Sequence, residues 1–134
     1  RAMIYLALHA DSEVKTGIKK ISGDLNIPAP FLAKILQVLA KHKLLSSTKG
    51  PNGGFSMGKD PHKISLYEIV TVIDGNEIFD KCLISFRSCH EENTPCPVHS
   101  KYEPIREAIR KLFQQQDIGK LANDIKKQEQ IFFL

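Results

Sequence analysis

The stretch ISGDLNIPAPFLAKILQVLAKHKLLSSTKGPNGGFSMGK, residues 21–59 of a 134-residue chain, decides the fold. Its first part belongs to IKKISGDL, where Ile18, Ile21 and Leu25 recur at helical spacing while Lys19 and Lys20 face outward. The pattern breaks at NIP, because Pro28 disfavours helical geometry in the residue before it. It restarts in PFLAKILQVLAKHK, with Pro30 tolerable in the first turn. There Leu32, Ile35, Leu36 and Leu39 form an apolar stripe, opposite a second stripe of Lys34, Gln37 and Lys41. Two short helices joined by a tight turn, the second with a basic and amide outer face, make a helix-turn-helix pattern.

Most helices present such a face to solvent, and the next segment changes its meaning. Leu45, Ser47 and Lys49 alternate with Ser46 and Thr48 as a half-exposed strand does. GPNGG predicts a tight reversal through positive φ, and Phe55 and Met57 resume the alternation on a return strand. A β-hairpin directly after a helix-turn-helix is a wing. Backbone amides at a glycine-rich tip can approach a phosphate closely, and Lys49 places charge beside it. The candidate DNA-contacting residues are Lys34, Gln37, Lys41, Ser47, Lys49, Asn52 and Gly53.

Working outward, RAMIYLALHA reads as a largely buried helix already under way at Arg1, and DSEVKTG breaks it. In ISLYEIVTVIDG, Ser65 and Glu68 have capping-box spacing, Gly75 supplies a left-handed terminus, and Ile69, Val70 and Ile73 face the core. A loop with a helical start over 78–84 follows. KYEPIREAIRKLFQQQ carries an apolar stripe of Tyr102, Ile105, Ile109, Leu112 and Phe113, and Pro104 in a first turn sets the helix start at 100–103. A last short helix spans IGKLANDIKK through Ile118, Leu121 and Ile125, and the IFFL tail has no assigned packing. The expected fold is mainly α with a small β-hairpin. Residues 1–75 form a winged helix-turn-helix lacking the start of its first helix, since no initiator Met precedes Arg1. Residues 76–134 form a cysteine-bearing loop, a long helix suited to dimerisation and a short C-terminal helix.

The net charge of +4 is unevenly placed. Residues 1–63 hold ten Lys or Arg against four Asp or Glu, whereas residues 64–134 hold nine against eleven. A basic first half suits a polyanion, and nucleic acid is the commonest one. A helix-turn-helix usually reads two half-sites, so a homodimer on palindromic double-stranded DNA is expected. No apolar run approaches the roughly 20 residues a membrane helix requires, and no signal peptide is evident, which favours a cytoplasmic protein and no membrane partner.

CLISFRSCHEENTPCPVH, residues 82–99, holds all three cysteines, with six residues between Cys82 and Cys89 and six between Cys89 and Cys96, and ends on His99. Three thiols cannot pair off, which points to metal or redox chemistry in a reducing compartment. Cys₃His suits tetrahedral zinc, although structural zinc sites usually pair their ligands in shorter knuckles. Free redox thiols are a further reading. A cysteine enzyme would need one activated thiol beside a base in a pocket, and His90 next to Cys89 is the sole local hint; the protein is not expected to be an enzyme.

Residues 21–61, with KISLYEIVTVIDG and the cysteine trio ahead of a long helix, resemble the winged-helix regulator family that includes IscR and NsrR. The resemblance covers nearly the whole chain. It implies a homodimeric transcription factor whose recognition helix enters the major groove and whose wing reaches the minor groove or backbone. It also implies a 2Fe–2S cluster on Cys82, Cys89 and Cys96, with His99, matching the C-x-x-H of IscR-like members, as fourth ligand. The gaps here are longer than in IscR, so His90, Glu91 and Glu92 also stand as candidates, and NsrR-like members use an acidic residue near the N-terminus instead. Such a regulator would sense redox state, nitric oxide or iron–sulfur status. Cluster-free members of the family imply the alternative of a repressor governed by a partner protein or by thiol oxidation, and a zinc-stabilised winged helix is a third.

Overall fold

The computed structural model describes residues 1–9, 15–84 and 97–127. Seven helices and one hairpin follow in order: α1 (Ala2–His9), α2 (Ile18–Leu25), α3 (Ala29–Lys41), β1 (Leu45–Thr48), β2 (Gly54–Met57), α4 (Leu66–Asp74), α5 (Glu77–Asp80), α6 (His99–Gln115) and α7 (Ile118–Lys127). A single 3-10 turn at Pro61–Lys63 sits between β2 and α4. The expected mainly helical winged helix-turn-helix is present. Its core is one cluster in which Leu6, Ile21, Leu36, Leu44, Ile64 and Ile118 are fully buried, drawing on α1, α2, α3, α7 and the segments flanking the hairpin.

The two helices of the helix-turn-helix end in the same way. Asn26 follows α2 at φ +52, with its N–H bonded to the Gly23 carbonyl and that of Ile27 to the Ser22 carbonyl. Lys43 follows α3 at φ +62, its N–H on the Ala40 carbonyl and that of Leu44 on the Leu39 carbonyl. These paired bonds are Schellman motifs, which satisfy the last orphan carbonyls of each helix. Asn tolerates the left-handed conformation; Lys does so at a cost, and the buried Leu39 and Leu44 on either side hold it there.

The hairpin pairs Leu45 with Met57 and Ser47 with Phe55. Thr16 adds a third, one-residue edge, exchanging both backbone bonds with Phe55 at 2.9 Å. Gly54 permits this, because a Cβ there would stand 2.5 Å from the Thr16 carbonyl oxygen. Across the first two helices the Tyr5 hydroxyl donates to Asp24 at 2.5 Å, and Lys20 joins the same carboxylate at 2.9 Å. The Tyr5 hydrogen bond first, and Lys20 second, hold the Asp24 carboxyl below its usual range, while burial pushes the Tyr5 hydroxyl up.

Three expectations are corrected. The helical turn after Gly75 is confined to Glu77–Asp80 and does not run on to residue 84. Pro104 lies in the second turn of α6, which begins at His99 rather than at 100–103. The amide it lacks would have bonded to the carbonyl of Ser100, an exposed residue whose carbonyl water can serve. In α4, Ile69, Val72 and Ile73 pack against the core, and Val70 is half-buried outside that cluster. The Ser65 cap is as expected, its hydroxyl accepting from the Glu68 N–H at 3.0 Å, and Gly75 closes the helix at φ +79. The tail at 131–134 lies outside the described residues.

Lys43→Gly is expected to raise the free energy of unfolding by about 0.5–1 kcal/mol, since glycine adopts positive φ without the Cβ penalty. Urea denaturation of the two proteins measures it, and an unchanged or lowered midpoint would contradict the Schellman assignment.

Candidate nucleic-acid interface and sulfur site

Along α3, the helix that leads into the wing, Leu32, Leu36 and Leu39 are buried, so the opposite side is fixed toward solvent. Lys34, Gln37 and Lys41 are all exposed on that side. Phe31 belongs to the same exposed arc, three residues before Lys34, and is 61% exposed. Sequence reasoning missed it; the signal was an aromatic residue that falls outside the apolar stripe. The first turn of α3 holds no acidic side chain, so no carboxylate there opposes a polyanion.

At the wing tip the Gly53 N–H bonds to the Gly50 carbonyl at 3.0 Å, closing a turn with Pro51 in its second position. Of the three tip glycines, only Gly50 takes positive φ, at +111. Gly53 is half-buried, and a Cβ on it would stand 2.2 Å from the Thr48 carbonyl, so closure of the turn accounts for it. Ser47, Lys49 and Asn52 are exposed. Lys15 is a second residue that sequence reasoning missed. Its ammonium reaches across the sheet to the hydroxyls of Ser46, at 3.4 Å, and Thr48. No local pattern links residues so far apart in the chain.

The sulfur segment is framed by α5 and α6. Arg106, 1% exposed, donates from Nη1 to the Asp80 carbonyl at 3.0 Å and the Lys81 carbonyl at 3.1 Å, and pairs with Glu103. Arg110 donates to the Phe79 carbonyl at 2.6 Å and to the Asp80 carboxylate at 2.7 Å. Two guanidinium groups therefore cap the carbonyl end of α5, where the helix dipole is negative and carbonyls lack helical partners. Beneath them Phe79 packs edge-on to Phe113, with ring centroids 5.6 Å apart, and lies 4.7 Å from the Tyr67 ring of α4.

This anchoring sets the direction of the chain. The partners of Arg110 are residues 79 and 80, and those of Arg106, one turn closer to the start of α6, are residues 80 and 81. Cys82 follows directly on the backbone that Arg106 holds, and His99 is the first helical residue of α6. His99, Glu103, Arg106 and Arg110 share one face, by their spacing of four, three and four. Cys82 and His99 are both half-buried. Cys89 and Cys96, with His90, Glu91 and Glu92, lie outside the described residues. Among the described residues no three potential ligands gather.

The apolar stripe expected on α6 divides. Tyr102 and Phe113 are half-buried, while Ile105, Ile109 and Leu112 are 57%, 40% and 52% exposed. Among the described residues no helix is long and apolar enough to cross a membrane.

A family model described as Rrf2, iron-dependent transcriptional regulator, matches residues 1–124. A protein of Aquifex aeolicus (strain VF5), assigned by name to the HTH-type transcriptional regulators, is 37% identical over 123 residues, covering 91% of this chain and 84% of its own length. The HTH-type transcriptional regulator IscR of Vibrio campbellii is 25% identical, covering 92% of this chain and 71% of its own. Among solved structures, T. potens IscR superposes with a TM-score of 0.76 at 21% identity, covering 96% of this chain and 83% of its own. CymR, the global cysteine regulator of B. subtilis, superposes at 0.75 with 24% identity, covering 91% and 88%. These two structural likenesses establish the fold.

Arg106→Met keeps the buried stem and removes the guanidinium, leaving the Asp80 and Lys81 carbonyls without their donor. It is expected to cost on the order of 2–3 kcal/mol of stability, read by chemical denaturation. A variant as stable as the parent would show that the α5–α6 joint does not depend on this side chain.

Proposed function

The chain belongs to the Rrf2 family of transcriptional regulators, and from that premise we propose a homodimer that reads a palindromic operator and senses its signal through a 2Fe–2S cluster. The family is one of DNA-binding regulators and not of enzymes. The observation that carries the reading is the exposed arc of α3, with Lys34, Gln37 and Lys41, directly followed by a wing that presents Ser47, Lys49 and Asn52. Lys34 and Gln37 can donate to base edges in the major groove, and Lys41 and Lys49 can neutralise phosphates.

Dimerisation is supported by Ile105, Ile109 and Leu112, a stripe that is exposed among the described residues. A two-fold axis across α6 would bury the stripe against its copy and place two reading heads on one duplex.

The chain's residues fit the cluster. Three thiols and an imidazole are a donor set suited to such a cluster, and Cys82 and His99 are both half-buried. Cys82, Cys89, Cys96 and His99 would hold it, and it would supply one-electron and ligand-exchange chemistry. Imidazole as one ligand makes the shell less negative and responsive to protonation. The resemblance to IscR-like members supports this assignment, and the cytoplasm suits such a site.

Lys34→Ala and Gln37→Ala are each expected to weaken specific binding by about 1–3 kcal/mol. Lys49→Ala should weaken binding to every sequence and reduce the salt slope by about one. Ile109→Glu should sediment as a folded monomer and lose high-affinity binding. Unchanged affinity in all four would remove the proposed reading surface and its pairing.

Protein prepared without oxygen is expected to be coloured and to carry two irons and two sulfides per chain. Cys82→Ser should abolish the colour, and His99→Ala should shift the visible spectrum or shorten the cluster's lifetime. Colourless wild-type protein containing zinc would overturn the cluster and leave the winged helix stapled by metal.

A further inference from the structure

We propose that Phe31 is a specificity-determining residue that reads the C5-methyl group of a thymine in each operator half-site, an inference that rests on α3 being the recognition helix. Phe31 stands in the first turn of α3 and is 61% exposed, although α3 has an apolar side into which an aromatic ring could have been folded. That side is filled by Leu32, Leu36 and Leu39, each at most 2% exposed. Phe31 therefore projects beside Lys34 on the arc that faces away from the core.

Its position and chemistry together select the target. In helix-turn-helix readers the N-terminal residues of the recognition helix contact base edges. A phenyl ring has no hydrogen-bonding group, so phosphates and the polar edges of guanine, adenine and cytosine offer it nothing specific. The thymine methyl is the one apolar feature in the major groove, and Phe is among the side chains that contact it. Lys34 and Gln37, further along the arc, read or neutralise polar atoms, while Phe31 shields a methyl from water. The expected operator carries a fixed thymine at the base step facing the start of α3, adjacent to the bases read by Lys34.

The test begins by selecting duplexes from a random-sequence pool with the intact wild-type protein. Each thymine of the selected operator is then replaced singly by deoxyuracil, which removes the methyl and nothing else. Wild type should lose about fourfold in affinity at one thymine per half-site, the loss expected for one buried methyl. Phe31→Ala should bind the parent operator more weakly by at least that factor and be indifferent to deoxyuracil at the same position. Lys49→Ala, weakened on all sequences, should retain the full sensitivity. Phe31→Leu, still apolar, should recover part of it. Wild type indifferent to deoxyuracil at every position, or Phe31→Ala still penalised at the same thymine, would overturn the assignment while leaving α3 as the reading helix. A pool that yields no enriched sequence would overturn the reading-helix premise itself.

Discussion

A guanidinium can remain buried and charged only where acceptors surround it, and Arg106 has found them in the backbone that leads into the sulfur segment. Arg110 repeats the arrangement one turn further along α6. At the C-terminal end of α6, the Leu66 N–H bonds to the Gln116 carbonyl and the Ile118 N–H to the Ile64 carbonyl, both at 2.9 Å. The long helix is thus strapped to the rest of the chain through its middle and at its C-terminal end. Along the helix, Ile105, Ile109 and Leu112 are left facing solvent. The same two arginines hold the backbone of residues 79–81, directly ahead of Cys82.

The second strap is itself secured by the last helix. Gly119 of α7 lies so close to His62 that a Cβ would meet the ring at 2.6 Å. The His62 Nδ1 is 3.1 Å from the Asp117 carboxylate, and its Nε2 lies 3.4 Å from the Asn123 amide. α7 places Ile118 and Ala122 against the core through this close contact. The chain beyond the sulfur segment therefore returns to complete the interior of the head, where Ile118 joins the cluster formed by α1, α2 and α3.

What the sequence revealed was whatever depends on near neighbours. The bounds of α2 and α7, the Ser65 cap, the Gly75 terminus and the hairpin are all encoded within a few residues. The pairing of Thr16 with Phe55 and the reach of Lys15 to Thr48 depend on distant segments and leave no periodic trace. Arg106 was hidden for a different reason: an arginine among charged neighbours on a helix usually marks a solvated face, and its burial follows from α5 offering carbonyls. Pro104 misled because an exposed carbonyl four residues earlier removes part of the penalty that confines proline to first turns. The exposed arc of α3 was legible through Lys34, Gln37 and Lys41, whereas Phe31 was passed over because aromatic residues are ordinarily counted as core. Of the proposed ligand set, spacing could supply candidates but not their convergence.

Only three residues, His42, Lys43 and Leu44, separate α3 from β1, and the N–H of each is committed to closing the helix. That short, fully bonded elbow leaves no free torsion about which the wing could swivel on its own. On the proposed function, a signal from the sulfur segment would therefore have no means of folding the wing away while the helix stays seated. It would have to carry both together, so in the proposed dimer the quantity open to control would be where one whole head stands relative to the other along the duplex.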